Sequence, residues 1–202
     1  MIQPPVPHYV LAGGKSRRFG SDKARHVVDA SPMLVRVRDA FASIASHTYA
    51  VARQADAYAD LGVDTIGDLV PDRGPLGGLM TALTHHARQP VDRVTGKIKP
   101  EPTWVLVTSC DLADPFRLDV TSLMNQARDD TRASVFRNDE FFEPFPGFYR
   151  SDLLSDIEGS IERRDRSMQH LLRQLGTLTV ARPMNNPGQR VLDLDRPGEA
   201  AG

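Results

Sequence analysis

The sequence predicts an α/β fold: one domain built on a doubly wound, mostly parallel sheet with helices on both faces. Three observations carry this expectation. Apolar runs of strand length alternate with segments of helical periodicity along most of the chain. Polar loops bearing glycine or aspartate follow several of those runs, the place where open α/β sheets build sites. The length of 202 residues suits one domain, large enough to bury about 70% of its unfolded-chain surface.

Each element follows from local pattern. Tyr9-Val10-Leu11-Ala12 is an apolar run that stops at Gly13-Gly14, as a buried strand feeding a tight turn does. Residues 13–23 are polar and form a loop. Ser31-Pro32 reads as a helix N-cap and first helical residue, followed by Leu34, Val35, Val37, Phe41 and Ile44 at roughly helical spacing. Strands are expected at 48–52 and 63–66, with a short helix at 55–61 between them. Residues 67–78 make a second loop, and 79–87 a helix starting near Leu76. Residues 88–102 hold three prolines and scattered charges and are expected to be a surface excursion. The run 104–108 is the clearest strand and ends at Ser109-Cys110-Asp111. Helices are expected at 118–127, 151–157 and 167–175, and strands at 133–136, around Val180 and at 191–195. The sum is a Rossmann-like layout.

Composition narrows the function class. The net charge of −1 offers no global field for nucleic acid or an anionic membrane. No segment approaches the ~20 apolar residues a membrane span needs. Residues 1–8 lack the basic-then-apolar layout of a signal peptide. Cys110 is the only cysteine, so no intrachain disulfide forms. A cytoplasmic protein is the expectation.

The stretch Leu11-Ala12-Gly13-Gly14-Lys15-Ser16-Arg17-Arg18-Phe19-Gly20-Ser21-Asp22-Lys23 is the most informative in the chain. Consecutive glycines let backbone N–H groups come close to a phosphate chain. Arg17, Arg18 and Lys23 add compensating cations. Tyr9 stands where a P-loop needs its first glycine, and the spacing G-x-G-x-x-G is absent. A surface turn with incidental basic residues is the plain alternative. Asp111, at the carboxyl end of a central strand, can hold Mg²⁺ over a triphosphate, since magnesium takes one or two carboxylates plus phosphate oxygens. The other reading is an aspartate capping the next turn.

The order L-A-G-G-x-S-x-R-F-G-x-D-K resembles the opening of the molybdenum cofactor guanylyltransferase (MobA) family of nucleotidyltransferases. Asp68 followed by Gly74-Pro75-Leu76 resembles the family's second element, and Cys110-Asp111 its metal-binding pair. The resemblance implies Mg²⁺-dependent transfer of GMP from GTP to the phosphate of molybdopterin, with pyrophosphate released. It implies Arg18, Lys23 and Asp111 as catalytic residues. It places the nucleotide on Leu11, Ala12, Gly13, Gly14, Lys23, Asp68, Gly74, Pro75, Leu76, Asp111 and Arg166, and the metal on Asp111 and Asp195. It divides the domain into a nucleotide-binding half, about 8–117, and an acceptor-binding half, about 118–199.

Two departures stand out. Asp193 and Asp195 occupy positions where the family has asparagines, and Ala50 stands where it carries an asparagine near the nucleotide. Glu143-Pro144-Phe145-Pro146-Gly147-Phe148-Tyr149 resembles the family's P-L-x-x-[L/F]-Y segment, although Phe145, Phe148 and Tyr149 more often belong to a core. Arg166-Ser167-Met168 resembles its R-S-[L/M] segment before a helix, a position that suits phosphate. His85 and His86 are expected at the surface or an interface rather than on zinc. The expected partners are GTP and molybdopterin, with transient contact to molybdenum cofactor proteins or molybdoenzymes, and neither nucleic acid nor membrane. The alternatives are a nucleotidyltransferase using CTP or another phosphorylated acceptor, and a non-catalytic nucleotide- or pterin-binding accessory protein.

Overall fold

Alternate side chains of the first strand serve two separate cores, and this alternation sets the layers. The computed structural model describes residues 1–13, 22–89, 96, 102–112, 114–138, 141–165, 167–175 and, as backbone, 178–181. Strand β1 (Val6–Leu11) sends Val10 to one apolar cluster and Tyr9 to the other. After it come a short antiparallel pair, β2 (Val27–Val28) and β3 (Ser31–Pro32), then α1 (Met33–Ala40) and β4 (Ala45–Ala52). Next are β5 (Asp64–Gly67), α2 (Gly74–Ala87), β6 (Trp104–Ser109) and α3 (Thr121–Gln126). β7 (Ala133–Asn138), β8 (Phe141–Arg150), α4 (Leu154–Glu162), α5 (Met168–Gln174) and β9 (Leu178–Ala181) complete the described chain.

The seven-stranded sheet has the order β5-β4-β1-β6-β8-β7-β9. β5, β4, β1 and β6 run parallel, β8 runs against β6 and β7, and β9 runs parallel to β7. Leu34 and Val37 of α1 and Leu123 of α3 cover one face, together with Val10, Ala50 and Leu106. Leu76, Leu79 and Leu83 of α2, Ile157 of α4 and Leu171 of α5 cover the other, with Tyr9, Val51 and Val107. Burying each such side chain contributes ~1.5–3 kcal/mol, which is why central strands read as continuous apolar runs. The chain leaves β1 toward β4 and β5, then returns to β6 on the opposite side of β1. That reversal opens a crevice at the carboxyl ends of β1 and β6. Among the described residues no helix is long and apolar enough to cross a membrane.

Several local expectations are corrected. Ser31-Pro32 does not cap a helix by side chain: Ser31 and Pro32 pair with Val28 and Val27, and the Met33 amide donates to the His26 carbonyl at 2.8 Å. Strand pairing thereby competes with capping for those groups. The helix expected at 55–61 is one 3-10 turn, Ala59–Leu61, ended by Gly62. His86 is not a surface residue: it is buried and its Nε2 lies 2.6 Å from the Thr103 hydroxyl. The strand expected at 191–195 lies outside the described residues.

A buried histidine stitches the middle of the sheet. His8 faces α1, with Nε2 2.9 Å from the Thr108 hydroxyl, Nδ1 3.2 Å from that of Thr48, and its ring edge-on to Phe41. Burial lowers its pKa from 6.5 to about 3. Below pH 6.5 the unfolded chain takes up a proton that the native ring refuses until about pH 3. Stability is therefore complete above pH 6.5 and falls through that window, by up to ~1.4 kcal/mol per pH unit. Urea midpoints measured from pH 7 to pH 4.5 should fall less steeply for His8→Gln than for the parent chain. Identical slopes would remove His8 as the cause.

Candidate active site

Three strand ends, the loop after β1 and one helix start converge on a single cavity of about 740 Å³. From the end of β1 come Leu11, Ala12 and Gly13. From the loop after it comes Lys23, from beyond β5 Asp68, from the start of α2 Gly74 and Pro75, and from beyond β6 Ser109, Cys110 and Asp111. The backbone holds these ends together: the Ala12 and Gly13 amides both donate to the Val51 carbonyl, at 2.9 and 3.0 Å, and the Cys110 amide donates to the Leu11 carbonyl at 3.1 Å. α2 can lie against β1 because residue 78 is glycine; a Cβ there would stand 2.9 Å from Leu11 Cδ2.

Lys23 reaches across to Asp111, with Nζ 3.0 Å from Oδ2 and both side chains largely buried, at 14% and 21% exposure. Its aim is set by neighbours. Asp22 caps the 3-10 turn Lys23–Arg25 by accepting from the Ala24 amide at 3.0 Å, and also accepts from the Tyr58 hydroxyl at 3.2 Å. Arg25 clamps the turn to Asp60 through two bonds of 2.6 and 2.8 Å. Asp111 is fixed from the other side, where Oδ1 accepts from the Ser109 hydroxyl. Asp68 is oriented in the same way: Oδ1 accepts from the Val70 amide at 3.0 Å and the Thr81 hydroxyl at 2.9 Å.

Beside this cluster, burial foremost and the Asp111 carboxylate next push the Cys110 thiol up to about 12, so it stays protonated. Cys110 is thus a small cavity-lining residue and not a nucleophile. The donor chemistry fits magnesium that draws its other ligands from water and phosphate, with Asp111 as the protein carboxylate. It does not fit an all-protein cage: among the described residues no group of three or more His, Cys, Asp or Glu side chains is placed to hold a metal.

Of the residues singled out from sequence, Leu11, Ala12, Gly13, Lys23, Asp68, Gly74, Pro75 and Asp111 line one cavity. The Leu76 side chain instead lies wholly in the core beneath α2. Gly14, Arg18, Arg166, Asp193 and Asp195 lie outside the described residues. Sequence reasoning overlooked the orienting partners Ser109, Thr81 and Tyr58. Only Ser109 had a local signal, its place two residues before Asp111; Thr81 reaches Asp68 from within α2, and Tyr58 reaches Asp22 across the fold. Also overlooked were Asn138, Phe141 and Phe142, which line the same cavity.

Comparison with known proteins bears on this arrangement. A family model described as a MobA-like NTP transferase domain matches residues 8–179. A relative from Syntrophotalea carbinolica, named molybdenum cofactor guanylyltransferase, is 28% identical over 174 residues, covering 85% of this chain and 76% of the relative. A crystal structure of a protein from Aquifex aeolicus VF5 is 27% identical, with a TM-score of 0.67 and 89% of each chain covered. The structure of molybdopterin-guanine dinucleotide biosynthesis protein A from Archaeoglobus fulgidus shares the fold at a TM-score of 0.63 and 19% identity, covering 87% of this chain and 83% of that one.

Proposed function

The chain belongs to the MobA-like NTP transferase family and is a nucleotidyltransferase, and from that premise we propose that it transfers GMP from GTP to the terminal phosphate of molybdopterin. The observation that carries the reading is the Lys23–Asp111 pair facing one cavity with Asp68 and the start of α2. The likeness to the Syntrophotalea carbinolica relative, named molybdenum cofactor guanylyltransferase, supports this choice of acceptor.

In this reading the half from about 8 to 117 binds the nucleotide and the half from about 118 to 199 the acceptor. The phosphates lie along Gly13, Gly14 and Arg18, and the guanine lies near Gly74 and Pro75. Asp68, with Oδ1 already engaged, offers Oδ2 to guanine N–H groups or sugar hydroxyls. Arg166 is assigned to phosphate binding. A phosphate oxygen of the acceptor attacks the α-phosphorus in line; a P–O bond forms there as the bond to the β-phosphate oxygen breaks, and pyrophosphate leaves. Both reactants are anions, so positioning and charge neutralisation supply most of the rate. Lys23 and Arg18 neutralise the charge that grows on the leaving pyrophosphate. Asp111, with Asp195, would hold Mg²⁺, which when bound supplies further neutralisation across the phosphates. Ser109 keeps Asp111 turned toward the cavity.

The test is pyrophosphate release with GTP, Mg²⁺ and molybdopterin, beside calorimetric titration of GTP, CTP, ATP and UTP. Release with molybdopterin and tightest binding of GTP are expected. Equal affinity for the four nucleotides would sink guanine recognition, and release only with another acceptor would reassign the substrate.

A further inference from the structure

Part of the cavity lining comes from an irregular stretch of β8. Val135 pairs with Gly147, but the next residue of β7, Phe136, pairs with Glu143. Residues 144–146 therefore have no counterpart on β7. They also lie beyond the ladder to β6, which ends at the Val107–Gly147 pair. An insertion of this kind bends a strand and re-aims its side chains, and such bulges concentrate beside binding sites.

Here the bulge is locked from three sides. The Tyr149 hydroxyl donates to the Pro144 carbonyl at 2.7 Å. Gly147 lets that carbonyl close over it, since a Cβ would stand 2.5 Å from the Pro144 oxygen. From α5, the Gln169 side chain donates to the Phe142 carbonyl at 2.7 Å and accepts from the Phe142 amide at 3.0 Å. It thus replaces a strand neighbour.

The lock turns apolar rings toward the cavity. Phe148 and Tyr149 are fully buried, but Phe145 and Phe142 are only half-buried against the core and line the cavity. Phe145 rests against Tyr149 with ring centroids 6.5 Å apart. Phe141 is 61% exposed and lines the same space. The cavity lining is thus of two kinds. Lys23, Asp68 and Asp111 give it a charged part, and Phe141, Phe142 and Phe145 give it an aromatic part from β8, the strand beside β6. Exposed π faces beside a phosphate site suit a ligand with a planar ring at one end and a phosphate at the other.

Resting on the transfer reading above, we propose that this bulge is the subsite that recognises the acceptor's ring: Phe145, with Phe141 and Phe142, contacts a planar heterocycle of the pterin class. Gln169 is a positioning residue that holds this aromatic lining from α5. The nucleotide does not use it, so acceptor and GTP recognition are separable by mutation.

The test uses the full chain and neopterin monophosphate as probe, followed by fluorescence anisotropy, with GTP titrated calorimetrically. The parent chain should bind the probe. Phe145→Ala should weaken that binding about tenfold, and Phe145→Leu, which keeps apolar packing without the ring, by a similar factor. Phe145→Tyr should retain it, and Gln169→Ala should weaken it several-fold. GTP affinity should be unchanged in all four variants, and in turnover the KM for the acceptor should rise while that for GTP stays level. Absence of probe binding by the parent chain, equal probe affinity in Phe145→Leu, or a parallel loss of GTP affinity would overturn the assignment. Probe binding lost with Phe145, in a chain that releases no pyrophosphate, would keep the subsite and reject guanylyl transfer. Pyrophosphate release with an acceptor KM indifferent to Phe145 would do the reverse.

Discussion

Asp111→Asn and Lys23→Ala each lower kcat by ~10²–10³, equivalent to about 2.7–4 kcal/mol of lost transition-state stabilisation. The reason lies in preorganisation. Lys23 Nζ and the Asp111 carboxylate stand 3.0 Å apart, each held by a neighbour, Asp22 through the capped turn and Ser109 through its hydroxyl. Phosphate charge and a divalent ion need only part this one bond, because each group is already aimed into the cavity by its own neighbour. Asparagine keeps the shape of Asp111 but removes the charge that a divalent ion requires. The fold should survive, because losing one partner of a charge-assisted bond costs ~1.5–3 kcal/mol against a total stability of ~5–15 kcal/mol. Pyrophosphate release measured beside a urea transition separates the two effects. Turnover within a few-fold of the parent chain in either variant would dismiss the pair as the reaction centre; a lost cooperative transition would show it to be structural.

The largest purely structural effect is expected at Gly147. A Cβ there would lie 2.5 Å from the Pro144 carbonyl oxygen and 2.9 Å from both Tyr149 Cε2 and Val135 Cγ1. None of the three can yield cheaply: one is backbone, and the other two belong to residues buried in the core. Gly147→Ala should cost about 3 kcal/mol, a fall of roughly 6–12 °C in Tm for a chain this size. Gly159 in α4 is the control, since its Cβ would meet first the movable end of Arg163 at 3.2 Å. Gly159→Ala should be neutral or stabilising by up to ~1 kcal/mol, because alanine favours a helix interior. Equal Tm values for the two variants would show that the bulge at 144–146 is looser than its bonding implies.

These two sites mark how far local pattern reaches. Asp111 was legible because it ends the most apolar strand of the chain, and Lys23 because it closes a glycine-rich basic loop. The bulge was not legible. Glu143 through Tyr149 stands out in the sequence for its aromatics and its resemblance to a family segment, and nothing nearby states that Gln169 and Tyr149 will bond its backbone out of register. The cap expected at Ser31 failed for a related reason: pairing with Val28 claimed the residue first. Leu76 was chosen for its place in Gly74-Pro75-Leu76, but the periodicity of α2 turns its side chain into the core.

Sequence by itself determined the mostly parallel α/β layout, the strand ends that carry Asp68 and Asp111 into the cavity, and family membership, because apolar periodicity, glycine pairs and loop chemistry are local properties of a chain. Only the tertiary structure decided that Lys23 meets Asp111, that Thr81 turns Asp68, and that aromatic rings from β8 line the same cavity. Those contacts join residues 13 to 88 positions apart or depend on strand register, and such pairings are selected by the packing free energy of the whole sheet rather than by any segment.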